Sequence, residues 1–79
     1  MKEPFDKSTW TAYRGQWVAV KDGQLCGSAP TLAALYELLS RDPEEYDLVA
    51  QVPAELYDFD AWLRLAREEH QEFRRRLRG

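Results

Sequence analysis

The dipeptide Asp22-Gly23 constrains this chain more than any other feature, because it separates two runs of strand-forming residues, 16–21 and 24–28. Both central residues of a two-residue type I′ turn need positive φ, and Asp-Gly supplies them readily. Such a turn pairs Lys21 with Gln24, Val20 with Leu25, Ala19 with Cys26 and Val18 with Gly27. Strand alternation then puts Val18, Val20 and Leu25 on one face of the ribbon, with Trp17, Ala19 and Cys26 on the other. Both faces are apolar, so each is expected to be covered.

The flanking segments supply the cover. Residues 5–14 read as a short helix with Asp6 as N-cap, Phe5 and Trp10 as a hydrophobic staple, and Gly15 at the left-handed end position. Thr31 caps a crossover helix running to about Arg41, with Leu32, Leu35, Tyr36 and Leu39 on one side, and Asp42-Pro43 stops it. Residues 46–52 form a third strand with Tyr46, Leu48, Ala50 and Val52 turned inward, and Pro53 ends it. The connections make this strand antiparallel to the first hairpin strand and favour the order 2-1-3; parallel pairing beside the second strand is the alternative.

From Asp58 or Asp60 to Leu77 the pattern is that of a long helix. Phe59, Leu63, Ala66, His70, Phe73 and Leu77 alternate spacings of four and three, which is a heptad seam. Arg64–Glu68 and Glu72–Arg76 stand at i, i+4 with opposite charge. At 1.5 Å rise per residue the helix spans about 27 Å, more than a small three-stranded sheet covers, so it either crosses the sheet diagonally or overhangs it. The expected fold is α+β, a single domain over residues 1–79. Residues 1–4 are a flexible lead, 5–53 a helix-hairpin-helix-strand core, and 54–79 the long amphipathic helix.

With 79 residues the core is small, and such scaffolds need staples, unusually good packing or a partner. One cysteine excludes an internal disulfide, and one histidine with one cysteine is a poor zinc set. No cofactor, metal or small-molecule ligand is implied. Cys26 has no helix N-terminus or adjacent cation to lower its pKa, which argues against a Cys26–His70 catalytic pair and against an enzyme. The start of the chain lacks the apolar run of a signal peptide and no segment reads as membrane-spanning, so the expected place is the cytoplasm.

Charge is unevenly placed on a net of −3. Between residues 37 and 60, Glu37, Asp42, Glu44, Glu45, Asp47, Glu55, Asp58 and Asp60 face Arg41 alone, whereas Arg74, Arg75, Arg76 and Arg78 crowd the tail. The sequence therefore reads as a non-enzymatic protein-interaction module working through its last helix. Its partner surface is drawn from His70, Phe73, Leu77, Arg74 and Arg78, and it acts as a homodimer or on a larger partner. An acidic chain of this kind suits a basic partner such as a toxin or nuclease. The alternative is a nucleic-acid accessory protein using the arginine cluster.

The stretch Tyr13-Arg14-Gly15-Gln16-Trp17-Val18-Ala19-Val20, followed by Asp22-Gly23 and later by Val52-Pro53, resembles a family of short prokaryotic proteins of unknown function. That family is marked by Y-x-G-x-W-V-A-V and a D-G turn. The resemblance runs over about residues 10–53 and implies a hairpin-helix-strand fold in a bacterium or archaeon, with no known activity. Ala29-Pro30 stands where the family has a glycine after the second strand.

Overall fold

A computed structural model describes residues 3–55 and 58–78, without the side chains of Glu3 and Arg78. Its elements are β1 (Glu3–Pro4), α1 (Lys7–Trp10), β2 (Trp17–Lys21), β3 (Gln24–Ala29), α2 (Leu32–Leu38), β4 (Leu48–Gln51) and α3 (Phe59–Arg78), with 3-10 helices at Thr11–Tyr13 and Pro43–Glu45. The sheet order is β1-β3-β2-β4, all neighbours antiparallel. The hairpin and third strand thus take the expected 2-1-3 order. Glu3 and Pro4, expected to be a flexible lead, instead pair with Leu25 and Gln24 as a fourth, edge strand. Their place is held by the Phe5 N–H, which donates to the Gly23 carbonyl at 2.9 Å.

The turn is as expected, with Asp22 at φ 55° and Gly23 at φ 74°. Lys21 faces Gln24 and Val20 faces Leu25, but Ala19 then faces Gly27 and Val18 faces Ser28, so Cys26 is the extra residue of a β-bulge. The expected Ala19–Cys26 and Val18–Gly27 pairs do not form. One inserted residue swaps the faces beyond it. Ala29 thereby joins Ala19 and Trp17 on the α2 side, and Gly27 turns its hydrogen toward Leu35 and Leu39.

Two cores flank the sheet. Phe5 and Trp10 from the N-terminal arm, Val18, Val20, Leu48, Ala50 and Val52 from the sheet region, and Phe59, Trp62 and Ala66 from α3 fill one side. Ala19, Ala29, Leu35 and Tyr46, with Trp17 and Val49 at the margin, fill the other. Asp6 caps α1 through Ser8 and Thr9, and the Ser8 hydroxyl, donating to its carboxylate at 2.6 Å, holds that group below its usual pKa. Thr31 caps α2 through the Ala34 N–H. This helix ends at Leu38, not Arg41, because the backbone is already extended at Leu39 (φ −76°, ψ 134°), whose N–H closes the last turn on the Leu35 carbonyl, and Asp42 starts a new capping box with Glu45. Tyr46 also departs from expectation. It caps that 3-10 turn, ahead of the strand, and so falls on the α2 side, opposite Leu48, Ala50 and Val52.

α3 is begun by Asp58, whose carboxylate accepts from the Asp60 and Ala61 N–H groups. Its buried line is Phe59, Trp62, Ala66 and His70, with Leu63 and Phe73 half-buried beside it. The seam therefore leans toward Trp62, because a helix packed on its own sheet follows a 3.6-residue stripe, not the 3.5-residue repeat of a coiled coil. The Trp62 indole N–H donates to the Gln51 carbonyl at 3.1 Å and ties α3 to the β4 edge. Neither Arg64–Glu68 nor Glu72–Arg76 closes to ion-pair distance; Arg41–Glu45 does, at 3.8 Å on the surface.

Candidate functional site

The C-terminal half of α3 is where the sequence places the partner surface, and the structure divides those residues. His70 is only 4% exposed and belongs to the interior. Leu77, at 56%, stands clear of the domain as an overhanging helix end requires. Phe73 and Arg74 are half-buried, and the Arg78 side chain lies outside the described groups. Within the single chain His70 packs against its own domain: its ring stacks on Phe73, and main-chain groups of Tyr46 and Pro43 approach it. Burial is the main cause that lowers its pKa. The Arg74 charge acts in the same direction, while the Tyr46 and Pro43 main chain and the Asp47 carboxylate oppose it. Its buried Nε2 has no hydrogen-bond partner.

Around Phe73 the structure assembles a surface that the sequence did not show. A shallow groove of about 140 Å³ opens where Trp17 and Val49 of the sheet and Leu32 and Tyr36 of α2 meet Glu69, His70 and Phe73 of α3. The cause is a mismatch of lengths. α2 has seven residues and covers β3 and the inner part of β2, leaving Trp17 and Val49 half-covered near the β4 edge. α3 then passes that edge with Glu69 and Phe73 on the open side.

The groove continues along β4, past Gln51, Trp62 and Leu65, as a hollow of about 360 Å³ that shares Trp17, Val49 and Glu69 with it. On the other side of Tyr36 lies a wider depression of about 470 Å³, walled by Leu39, Arg41, Asp42 and Glu45 among others. Tyr36 and Leu65 are 41% and 52% exposed, so apolar surface rims the groove at both ends. The signal that could have found this surface was Trp17, a bulky residue on a hairpin face with only a short helix to cover it.

The Cys26 thiol, half-buried in the bulge, donates to the Gln24 carbonyl at 3.7 Å. Among the described residues no group of three or more His, Cys, Asp or Glu side chains is placed to hold a metal ion, and no helix is long and apolar enough to cross a membrane. Arg75 and Arg76 are exposed at the end of α3 without an ion-pair partner among the described residues.

No curated protein and no solved structure matches the chain. A family described as "Family of unknown function (DUF5678)" matches over residues 10–55, from Trp10 through the hairpin, α2 and β4. The match covers more than half of the chain and takes in the sheet and α2 walls of the groove, and by it the chain belongs to the DUF5678 family.

Proposed function

We propose that this protein is a non-enzymatic protein-interaction module that meets its partner, or a second copy of itself, through the C-terminal half of α3 and the groove beside it. The observation that carries this reading is Phe73, half-buried over a groove walled by Trp17 and Tyr36, with Leu65 and Leu77 exposed on the same helix. A half-covered aromatic patch with a polar rim is what a helix-in-groove or anchor-residue contact uses. Acidic residues dominate the chain from Glu37 to Asp60, so a basic partner such as a toxin or nuclease is the class that opposing potential favours. A prokaryotic origin and a cytoplasmic place belong to the same reading; they rest on the resemblance over residues 10–53 and on the lone cysteine. The test is the double change Leu65→Ser with Leu77→Ser, both at exposed positions. Sedimentation and pull-down should show loss of self-association or partner capture, with an unchanged circular dichroism spectrum. Unchanged association would remove the interface from α3.

A second reading, nucleic-acid binding, is favoured by Arg75 and Arg76 alone. Fluorescence anisotropy with short duplex and single-stranded DNA at physiological salt should give nothing tighter than about micromolar. Nanomolar binding with a steep salt slope would reverse the order of the two readings.

A further inference from the structure

We propose that the groove between the sheet, α2 and α3 is an aromatic cage that receives the cationic side chain, lysine or arginine, of a basic protein segment. This inference rests on the interaction reading and names the partner's chemistry.

Three aromatic side chains drawn from different elements, Trp17 of β2, Tyr36 of α2 and Phe73 of α3, share one small opening with one carboxylate, Glu69. The faces of aromatic rings carry negative potential and attract ammonium and guanidinium groups, most strongly where water is displaced. Glu69 adds a full negative charge at the mouth. Among the charged side chains of the described residues, Glu69 alone lines this opening. The remaining aromatic wall is His70, which burial keeps toward its neutral form, so it adds no opposing charge near neutral pH.

The part of the groove that the three aromatic side chains share is small, about 140 Å³, before it opens into the hollow along β4, and it suits a side-chain head.

The surroundings extend the complementarity. Tyr36 is also a wall of the depression that holds Asp42 and Glu45, where Arg41 answers Glu45 only loosely at 3.8 Å. A basic segment lying across Tyr36 would set one cation in the cage and bring its next toward those carboxylates. An acidic segment would bring its charge against Glu69 at the mouth of the groove.

The experiment titrates the intact protein, labelled with nitrogen-15, with Nα-acetyl-lysine-N-methylamide, its arginine counterpart and its norleucine counterpart. The Trp17 indole N–H signal reports binding directly. At least one cationic compound should shift it saturably, and the norleucine compound should bind about fivefold more weakly or not at all. Tyr36→Leu and Glu69→Gln, both at exposed positions, should each weaken the cationic compound severalfold while leaving the amide spectrum dispersed. Equal binding of norleucine, or no saturable shift with either cation, would overturn the cage. The cage is overturned without touching the interaction reading if Leu65→Ser with Leu77→Ser still abolishes association. It survives the loss of that reading if the cations bind but the double variant associates normally.

Discussion

The rings of His70 and Phe73 stack with centroids 5.6 Å apart and planes 26° from parallel. One turn of α3 therefore joins a residue sealed in the domain to one that lines its surface. Phe73 and Leu77, equivalent in the heptad pattern, are for this reason unequal in stability. Phe73→Ser should cost about 1–2 kcal/mol in urea denaturation, since it uncovers His70 and removes part of the groove wall. Leu77→Ser should stay within about 0.5 kcal/mol. Equal effects would mean that the end of α3 is packed differently.

Acid should weaken the fold through His70. Its pKa lies below the ordinary 6.5, chiefly because burial disfavours the charged ring, with Arg74 adding to this and Asp47 and the Tyr46 and Pro43 main chain opposing it. Glu69 and Phe73 complete the surroundings on α3. The unfolded chain then binds the proton more readily than the folded one. Stability falls as the pH drops from about 6.5 toward the folded-state value and is level below it. Between about pH 7 and 5.5 the melting temperature of wild type should fall relative to that of His70→Leu on acidification. Parallel curves would show that His70 does not sense the proton.

Gly23→Val tests the hairpin. At φ 74° nothing lies within 4 Å of a Cβ built on Gly23, so the cost is conformational and not steric crowding by neighbours. A β-branched residue there should destabilise the domain by about 1 kcal/mol or more. A neutral result would mean that the turn relaxes to another type.

Gly27 tests the bulge. A Cβ there would meet Leu35 Cδ1 at 3.4 Å and Leu39 Cδ2 at 3.5 Å, which is close but ordinary contact. Gly27→Ala should be tolerated within about 0.5 kcal/mol, while Gly27→Leu should push α2 off the sheet at a cost of about 1–3 kcal/mol. If both were harmless, Gly27 would not face α2 and the bulge at Cys26 would be misplaced.

What was legible follows the range of the signal. The turn, the caps at Asp6 and Thr31 and the strand order rest on residues a few positions apart or on short connections, and each reads directly from local chemistry. The bulge does not, because the pairing that creates it is decided by which side chains α2 can cover across the sheet. Tyr46 looked like one more inward residue of a strand, yet the cap after Pro43 set its direction. The same limit hid the groove. Trp17, Tyr36, Glu69 and Phe73 are far apart in sequence, and only the short reach of α2 and the passage of α3 beyond β4 bring them together. Length alone left α3 either crossing the sheet diagonally or overhanging it, and the burial of His70 depended on contact with the turn at Pro43.

The two borders of the sheet also bear on behaviour at high concentration. Unpaired strand borders are templates on which further chains can polymerise into cross-β fibrils. Here one border is a two-residue strand containing Pro4, which has no N–H to offer an incoming backbone. The other is a four-residue strand whose Gln51 carbonyl is already held by the Trp62 indole. Neither presents a ladder long enough to seed growth. With both borders blunted in this way, concentrated solutions should stay free of amyloid.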